Sequence, residues 1–278
     1  MNASSDRERV IEFVRSHEER LATHVEPFQW GTAYLDAGYP LRWDSNFLWT
    51  TRPLEGVAAE TLAAEADRIL GGAGLSHREI IVEHAADGER LVAGFANLGY
   101  ECEDLLVMAL RREPDRPRDL AVVEEVDVET FIPAAATVYR RMPYTGSEEI
   151  ARSLADYKRA LAAVGARFFV ARVDGEIASM CELYWGNRVA QVEDVCTLEE
   201  YRGRGLAAAV VLRAAREARQ AGCDLVFLFA DRSDWPKDLY ARLGFGPIGR
   251  CFSFVLQPAA PAGPKDGGRF PQAGDPPT

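Results

Sequence analysis

The sequence is poor in the features that would anchor a protein to a membrane, a polyanion or a metal. No stretch approaches the roughly 20 consecutive apolar residues of a membrane-spanning helix. The first residues, Met1-Asn-Ala-Ser-Ser-Asp-Arg-Glu-Arg9, lack the apolar centre of a secretory signal. Lys and Arg total 32 against 43 Asp and Glu, a formal charge of -11, and no basic run exceeds two or three residues. Nucleic acid and anionic membrane are therefore not expected partners, whereas a cationic substrate would be tolerated. Cysteine is sparse: five residues, at 102, 181, 196, 223 and 251, odd in number and without a C-x-x-C pair. They read as small buried groups of a reducing, cytoplasmic environment. The four histidines, at 17, 24, 77 and 84, show no metal-ligand spacing, so no metal is expected.

What remains is a chain of 278 residues, 47% apolar and 27% charged, enough for one large domain or two ordinary ones. Helices are expected over 4–22, 56–70, 88–97, 130–141, 147–164, 205–221 and 236–243, from apolar spacing with capping and glycine stops. Strands are expected over 79–83, 104–110, 120–125, 168–173, 176–185, 189–197, 225–230 and 248–256, with Asp174-Gly175 as a hairpin turn. Residues 24–52, rich in aromatics and broken by Gly31, Gly38 and Pro40, read as short strands and turns. Residues 114–118 read as a linker and 258–278 as a disordered tail rich in Pro, Gly and Ala.

The chain repeats itself. Glu79-Ile-Ile-Val…Phe95-Ala-Asn-Leu-Gly-Tyr100 lies on Asp224-Leu-Val-Phe…Tyr240-Ala-Arg-Leu-Gly-Phe245 at a constant offset of 145 residues. The same offset lays Phe47-Leu-Trp-Thr50 on Val192-Glu-Asp-Val195. Duplication explains such an ungapped strand–helix–strand match better than chance. The copies differ at one informative place: Gly203 and Gly205 correspond to Ala58 and Glu60. Two glycines before a helix let the backbone approach an anion, and the helix presents unpaired N–H groups and its positive dipole end there. A carboxylate in the same place would repel that anion, so only the second copy is expected to bind one.

Val195-x-Thr197-x-x-x-x-Arg202-Gly-Arg-Gly-Leu-Ala207, followed by Leu239-Tyr-Ala-Arg-Leu-Gly-Phe245 at the right spacing, resembles the GNAT superfamily of N-acetyltransferases. The resemblance covers 119–256 well and 24–111 in degraded form. It implies an α/β fold of two tandem GNAT-like domains. Each would be a mixed, mostly antiparallel sheet flanked by helices, with splayed central strands in the second. Residues 1–113 would form the degenerate copy and 119–257 the catalytic domain. The pattern departs from the family at Glu199, where proline is common. Pro236 interrupts the start of the tyrosine helix, and the asparagine after the buried strand is absent.

What the resemblance implies in chemistry is direct acyl transfer from acetyl-CoA, as co-substrate, to an amine in a ternary complex. Val195, Cys196 and Thr197 would pair with the pantetheine arm. Arg202, Gly203, Arg204, Gly205, Leu206 and Ala207 would seat the pyrophosphate. Tyr240 would protonate the departing sulfur, and Glu193 would take the amine's proton, directly or through water. Asp194, Tyr144 and Met142 are candidates for contact with the acceptor, with Trp185 as a possible lining residue. On a regular strand Glu193 and Asp194 would point to opposite faces. The expected enzyme is a small-molecule amine N-acetyltransferase, a monomer or homodimer. The alternatives are a protein or peptide N-acetyltransferase and a non-catalytic acyl-CoA-binding sensor.

Overall fold

The strand after the glycine-loop helix is apolar without interruption, Leu225-Val-Phe-Leu-Phe-Ala230, and it lies buried in a sheet. A computed structural model describes residues 3–142 and 145–257. It divides into two units, one of 3–14 and Val107–Gly249, the other of Arg15–Leu106 and 250–257. The cut passes through the first helix, α1 (Ala3–Leu21), and through strands β5 (Glu101–Leu110) and β11 (Phe245–Leu256).

In the C-terminal unit, β6 (Val123–Val126), β7 (Arg167–Val173), β8 (Glu176–Gly186) and β9 (Val189–Thr197) pair antiparallel in sequence order. Strand β10 (Leu225–Asp231) adds in parallel on the far side of β9. The turn between β7 and β8 is Asp174-Gly175, both at positive φ, as the right-handed twist of a tight hairpin demands. The next turn is Asn187-Arg188, also both at positive φ. Arg188 is held there by its guanidinium, 2.9 Å from Asp224.

Helices α4 (Val128–Tyr139), α5 (Glu148–Asp156), α6 (Lys158–Ala163), α7 (Leu206–Gln220) and α8 (Pro236–Arg242) complete the unit. Asp127 caps α4 through the Thr130 N–H, and Ser147 caps α5 through the Ile150 N–H. Periodicity predicts one helix over 147–164, yet the chain breaks at Tyr157, a fully buried ring, and restarts at Lys158. Helix α7 is alanine-rich and buries Leu206, Val210, Val211 and Ala214. It stops at Gly222, whose φ of +90° allows the Cys223 N–H to reach the Ala218 carbonyl.

In the N-terminal unit, β1 (His24–Phe28), β2 (Gly31–Leu35) and β3 (Phe47–Thr50) pair antiparallel in order. Strand β3 pairs β4 (Arg78–Val82) in parallel, and β4 pairs residues 252–256 of β11 antiparallel. Helices α2 (Ala59–Ala66) and α3 (Ala85–Asn97) cover the sheet around Leu48, Leu62, Ile80, Phe95 and Phe254. The Phe95 and Phe254 rings stack 4.2 Å apart. A Cβ on Gly88 would stand 2.1 Å from the Phe252 ring, so the first turn of α3 lies on β11 only because residue 88 has no side chain. At an offset of 145 residues, β3–α2–β4–α3–β5 and β9–α7–β10–α8–β11 are the same sequence of elements. Among the described residues no helix is long and apolar enough to cross a membrane.

Candidate active site

Two strands part company at the centre of the C-terminal unit. Strands β9 and β10 pair from Leu225↔Val189 to Phe227↔Gln191, after which β9 continues to Thr197 and β10 to Asp231. The other edge of β9 stays bonded to β8 as far as Ser179↔Thr197. The N-terminal unit pairs over the equivalent positions, Leu48↔Ile80 to Thr50↔Val82, which by register puts Thr50 at the place of Gln191 and not of Val195 as the 145-residue offset suggests. The difference lies beyond the last pair: β3 ends at Thr50, whereas β9 runs on to Thr197. An extended ligand arm therefore has a strand edge to pair with past the last rung in the C-terminal unit, and β3 offers none.

The loop after β9 carries the two glycines. Gly203 and Gly205 have φ of +77° and +78°, the region that other residues enter at a cost, and Gly205 is the residue from which α7 starts. The first N–H groups of α7 have no acceptor within the helix and face this turn. Arg202 reaches back to the Thr197 carbonyl at 3.4 Å, and Arg204 lies over the Tyr201 ring. Leu206 is buried and Ala207 half-buried.

Strand β9 is not regular where its two carboxylates stand. Met180 pairs with Cys196 and Glu182 with Glu193, so Cys181 alone faces both Asp194 and Val195. This is a β-bulge, and Asp194 occupies it at φ +50°. A non-glycine residue held there costs about 1–3 kcal/mol unless its surroundings hold it in place. The bulge replaces simple alternation as the device that separates the two acids. Glu193 accepts from the Gln191 amide at 2.5 Å, and its charge acts on the Tyr240 phenol. Asp194 turns instead to Lys158 Nζ, 3.0 Å away, and to the Tyr139 hydroxyl.

Lys158 is the centre of a buried charged cluster. It is 3% exposed, ion-pairs with both Glu182 and Asp194, and lies 5.4 Å from the Tyr139 ring centroid. Glu182 is fully buried and accepts from the Tyr184 hydroxyl. Burial pushes the Glu182 carboxyl up, with Lys158 opposing and Asp194 reinforcing the rise. Burial also works against the Asp194 carboxylate, but Lys158 and then Tyr139 outweigh it and hold its pKa below the usual range. None of these partners is suggested by spacing. The one available signal was Glu182, a charge inside the apolar run from Ala178 to Trp185.

Tyr240 is 8% exposed, and its ring meets Phe245 edge-on at 6.3 Å. Burial, then the Glu193 carboxylate, push the phenol above its ordinary value, so it holds its proton at neutral pH. Cys181 and Cys196 are buried thiols whose pKa values burial raises, which makes them poor nucleophiles. Met142 is half-buried at the end of α4, its N–H on the Tyr139 carbonyl. Tyr144 lies outside the described residues. Trp185 is 39% exposed and donates to the Gly165 carbonyl at 3.0 Å, so it belongs to the sheet rim. Among the described residues no group of three or more His, Cys, Asp or Glu could hold a metal.

Comparison with known proteins fits this geometry. The family model described as Acetyltransferase (GNAT) family matches residues 134–245, a span that runs from α4 to the start of β11. A glucosamine 6-phosphate N-acetyltransferase of Trypanosoma brucei brucei is 28% identical over 134 residues, 46% of this chain and 88% of that protein. A functionally unknown conserved protein of Staphylococcus epidermidis has a similar fold, with TM-score 0.66 and 17% identity over 86% of this chain and 95% of its own. So does a GCN5-related N-acetyltransferase of Kribbella flavida, with TM-score 0.60 and 18% identity over 91% of this chain and 95% of its own. The chain carries, in its C-terminal half, a domain of the GNAT acetyltransferase family.

Proposed function

We propose that the protein transfers the acetyl group of acetyl-CoA to a primary amine of a small molecule, by direct attack in a ternary complex. The observation that carries this reading is the parting of β9 and β10 beside the Gly203–Gly205 turn. The turn offers N–H groups to a pyrophosphate. The freed edge over Val195, Cys196 and Thr197 offers backbone pairing to a pantetheine arm. Arg202, Gly203, Arg204, Gly205, Leu206 and Ala207 form the pyrophosphate seat.

The residues divide the proton work. An aliphatic amine has a pKa near 10 and must lose a proton before it attacks the thioester carbon. Glu193 takes that proton, directly or through one water. The new C–N bond forms as the carbonyl oxygen gains charge against a backbone N–H of the bulge, and the C–S bond then breaks. Tyr240 gives its proton to the leaving sulfur. Glu193 passes the first proton to solvent and takes the second from the nitrogen once the C–N bond has formed, and this second proton restores the phenol, since a buried tyrosinate beside a carboxylate is costly. Asp194, engaged by Lys158 and Tyr139, serves the bulge and not the acceptor's ammonium.

The relative named for glucosamine 6-phosphate supports a small amine as acceptor and makes amino sugars the first to try. The test is thiol release from acetyl-CoA with a panel of amino sugars, polyamines and antibiotics beside a panel of peptides. Release with a small amine supports the proposal. Release with peptides alone replaces it with protein acetylation, and binding without any release leaves an acyl-CoA-binding module.

A further inference from the structure

Lys158 has no part in the proton transfers above, yet the fold buries it at a cost. Buried ion pairs rarely outdo apolar side chains of the same volume in stability, so stability is a poor reason for this one. Its position is informative. Lys158 opens α6 directly after the break at Tyr157, which brings the ammonium against the bulge of β9. Tyr139 from α4, Lys158 from α6 and Glu182 from β8 all converge on the Asp194 carboxylate. Asp194 is the residue at φ +50°, and the backbone turns there between Glu193 and Val195.

We propose that Lys158 is a positioning residue for acyl transfer: by gripping Asp194 it fixes the bulge that aims Glu193 at the amine and the Val195–Thr197 backbone at the thioester. This rests on the acyl-transfer reading of the site. Lys158 also supplies the cation paired with Asp194, the neighbour of Glu193. The groups facing the bulge are Tyr139 from α4, Lys158 from α6, Cys181, Glu182 and Tyr184 from β8, Glu193, Asp194 and Cys196 from β9, and Tyr240 from α8. Arg202, whose charge acts on Cys196, stands at the Thr197 end of the segment, and of the groups bonded to Asp194 Lys158 is the positive one. Without it the Asp194 charge stands uncompensated next to Glu193, which makes the Glu193 carboxylate harder to form. The pH at which the base becomes active then rises.

The test compares the wild-type chain with Lys158→Met and with Lys158→Met/Glu182→Met. The double variant strands one buried carboxylate where the single variant strands two, and so remains informative if the single variant does not fold. Turnover is followed by thiol release with the best amine of the panel, and backbone amide exchange by mass spectrometry. In the folded double variant kcat falls by about 30- to 100-fold, as a misaimed site requires. The KM for acetyl-CoA stays within about threefold, because the glycine turn is untouched. The acid limb of the pH–rate profile moves up by about half to one pH unit. Amides of 193–197 exchange about tenfold or more faster, while those of 203–210 do not change. A folded double variant with the wild-type acid limb, or with kcat within about threefold of wild type, overturns the assignment. Absence of thiol release by the wild-type chain with every amine overturns the acyl-transfer reading itself, a result distinct from unaltered variants of an active enzyme.

Discussion

The Arg90 guanidinium donates to the Leu54 carbonyl at 2.7 Å and to the Val57 carbonyl at 2.8 Å. The Leu54 N–H is in turn taken by Asp87 at 3.0 Å. Residues 54–58 lead into α2 as 199–203 lead into the α7 turn, so the N-terminal unit fills with its own arginine the loop whose C-terminal counterpart is our proposed anion seat. Glu60, the counterpart of Gly205, adds a carboxylate to the first turn of α2. Arg90→Ala should lower the stability of the chain by about 1–2 kcal/mol, the worth of charged hydrogen bonds at a partly exposed site. Acetyl-CoA affinity should not change. Denaturant unfolding and calorimetry on the same sample check both halves, and a gain of a second CoA site would refute the idea that the end of β3 at its last rung also excludes the ligand.

Tyr240→Phe removes the proton for the leaving sulfur and little volume. The expected loss in kcat is about 10²-fold or more, with the KM for acetyl-CoA nearly constant. Because burial and Glu193 push the phenol above its ordinary value, it should stay protonated through the working range. An alkaline limb below about pH 9 that vanishes in Tyr240→Phe would overturn the raised phenol pKa, and kcat retained within about threefold in Tyr240→Phe would sink the general-acid role.

Glu193→Gln keeps the shape and the contact with Gln191 but cannot take a proton. Thiol release should fall by about 10²- to 10⁴-fold, and the acid limb of kcat/KM should disappear. Retention of turnover within about threefold would move the base elsewhere.

These roles show which parts of the site could be read in the sequence. The glycine turn was legible because only glycine enters positive φ freely, and two of them before an alanine-rich helix have few other uses. Tyr240 stood out through the family-like spacing Leu239-Tyr-Ala-Arg-Leu-Gly-Phe245, and its ring meets Phe245 edge-on. The splay of β9 from β10 followed only from the family resemblance. The bulge was not legible: Glu193-Asp194 reads as two alternating residues until register shows that Cys181 faces two partners. Lys158 reads as a solvent-facing lysine on a continuous helix. Its burial is decided by the break at Tyr157 and by acids 24 and 36 residues further along, information that local propensity does not hold.

Acid sensitivity should centre on the N-terminal unit. His17 is 4% exposed, and burial, then Arg20 and Arg42, lower its pKa to about 3. The folded chain thus binds the His17 proton less readily than the unfolded chain, whose pKa is near 6.5. The stability this provides is present above about pH 6.5 and is lost as pH falls from there toward 3. Urea unfolding at pH 7, 5 and 4 should show the decline, and His17→Gln should flatten it. An unaltered slope in the variant would assign the acid lability to other groups, buried His77 first among them.

The central claim is that the Gly203–Gly205 turn of the C-terminal unit, and no other part of the chain, seats acetyl-CoA. Titration calorimetry of the wild-type chain and of Gly205→Glu tests it most directly, since the substitution copies the residue that the N-terminal unit carries at Glu60. Gly205 has φ +78°, so the variant combines backbone strain with a carboxylate at the mouth of α7. One site per chain is expected in the wild type and no measurable binding in a folded Gly205→Glu. Two sites per chain, or retained affinity in the variant, would contradict the claim.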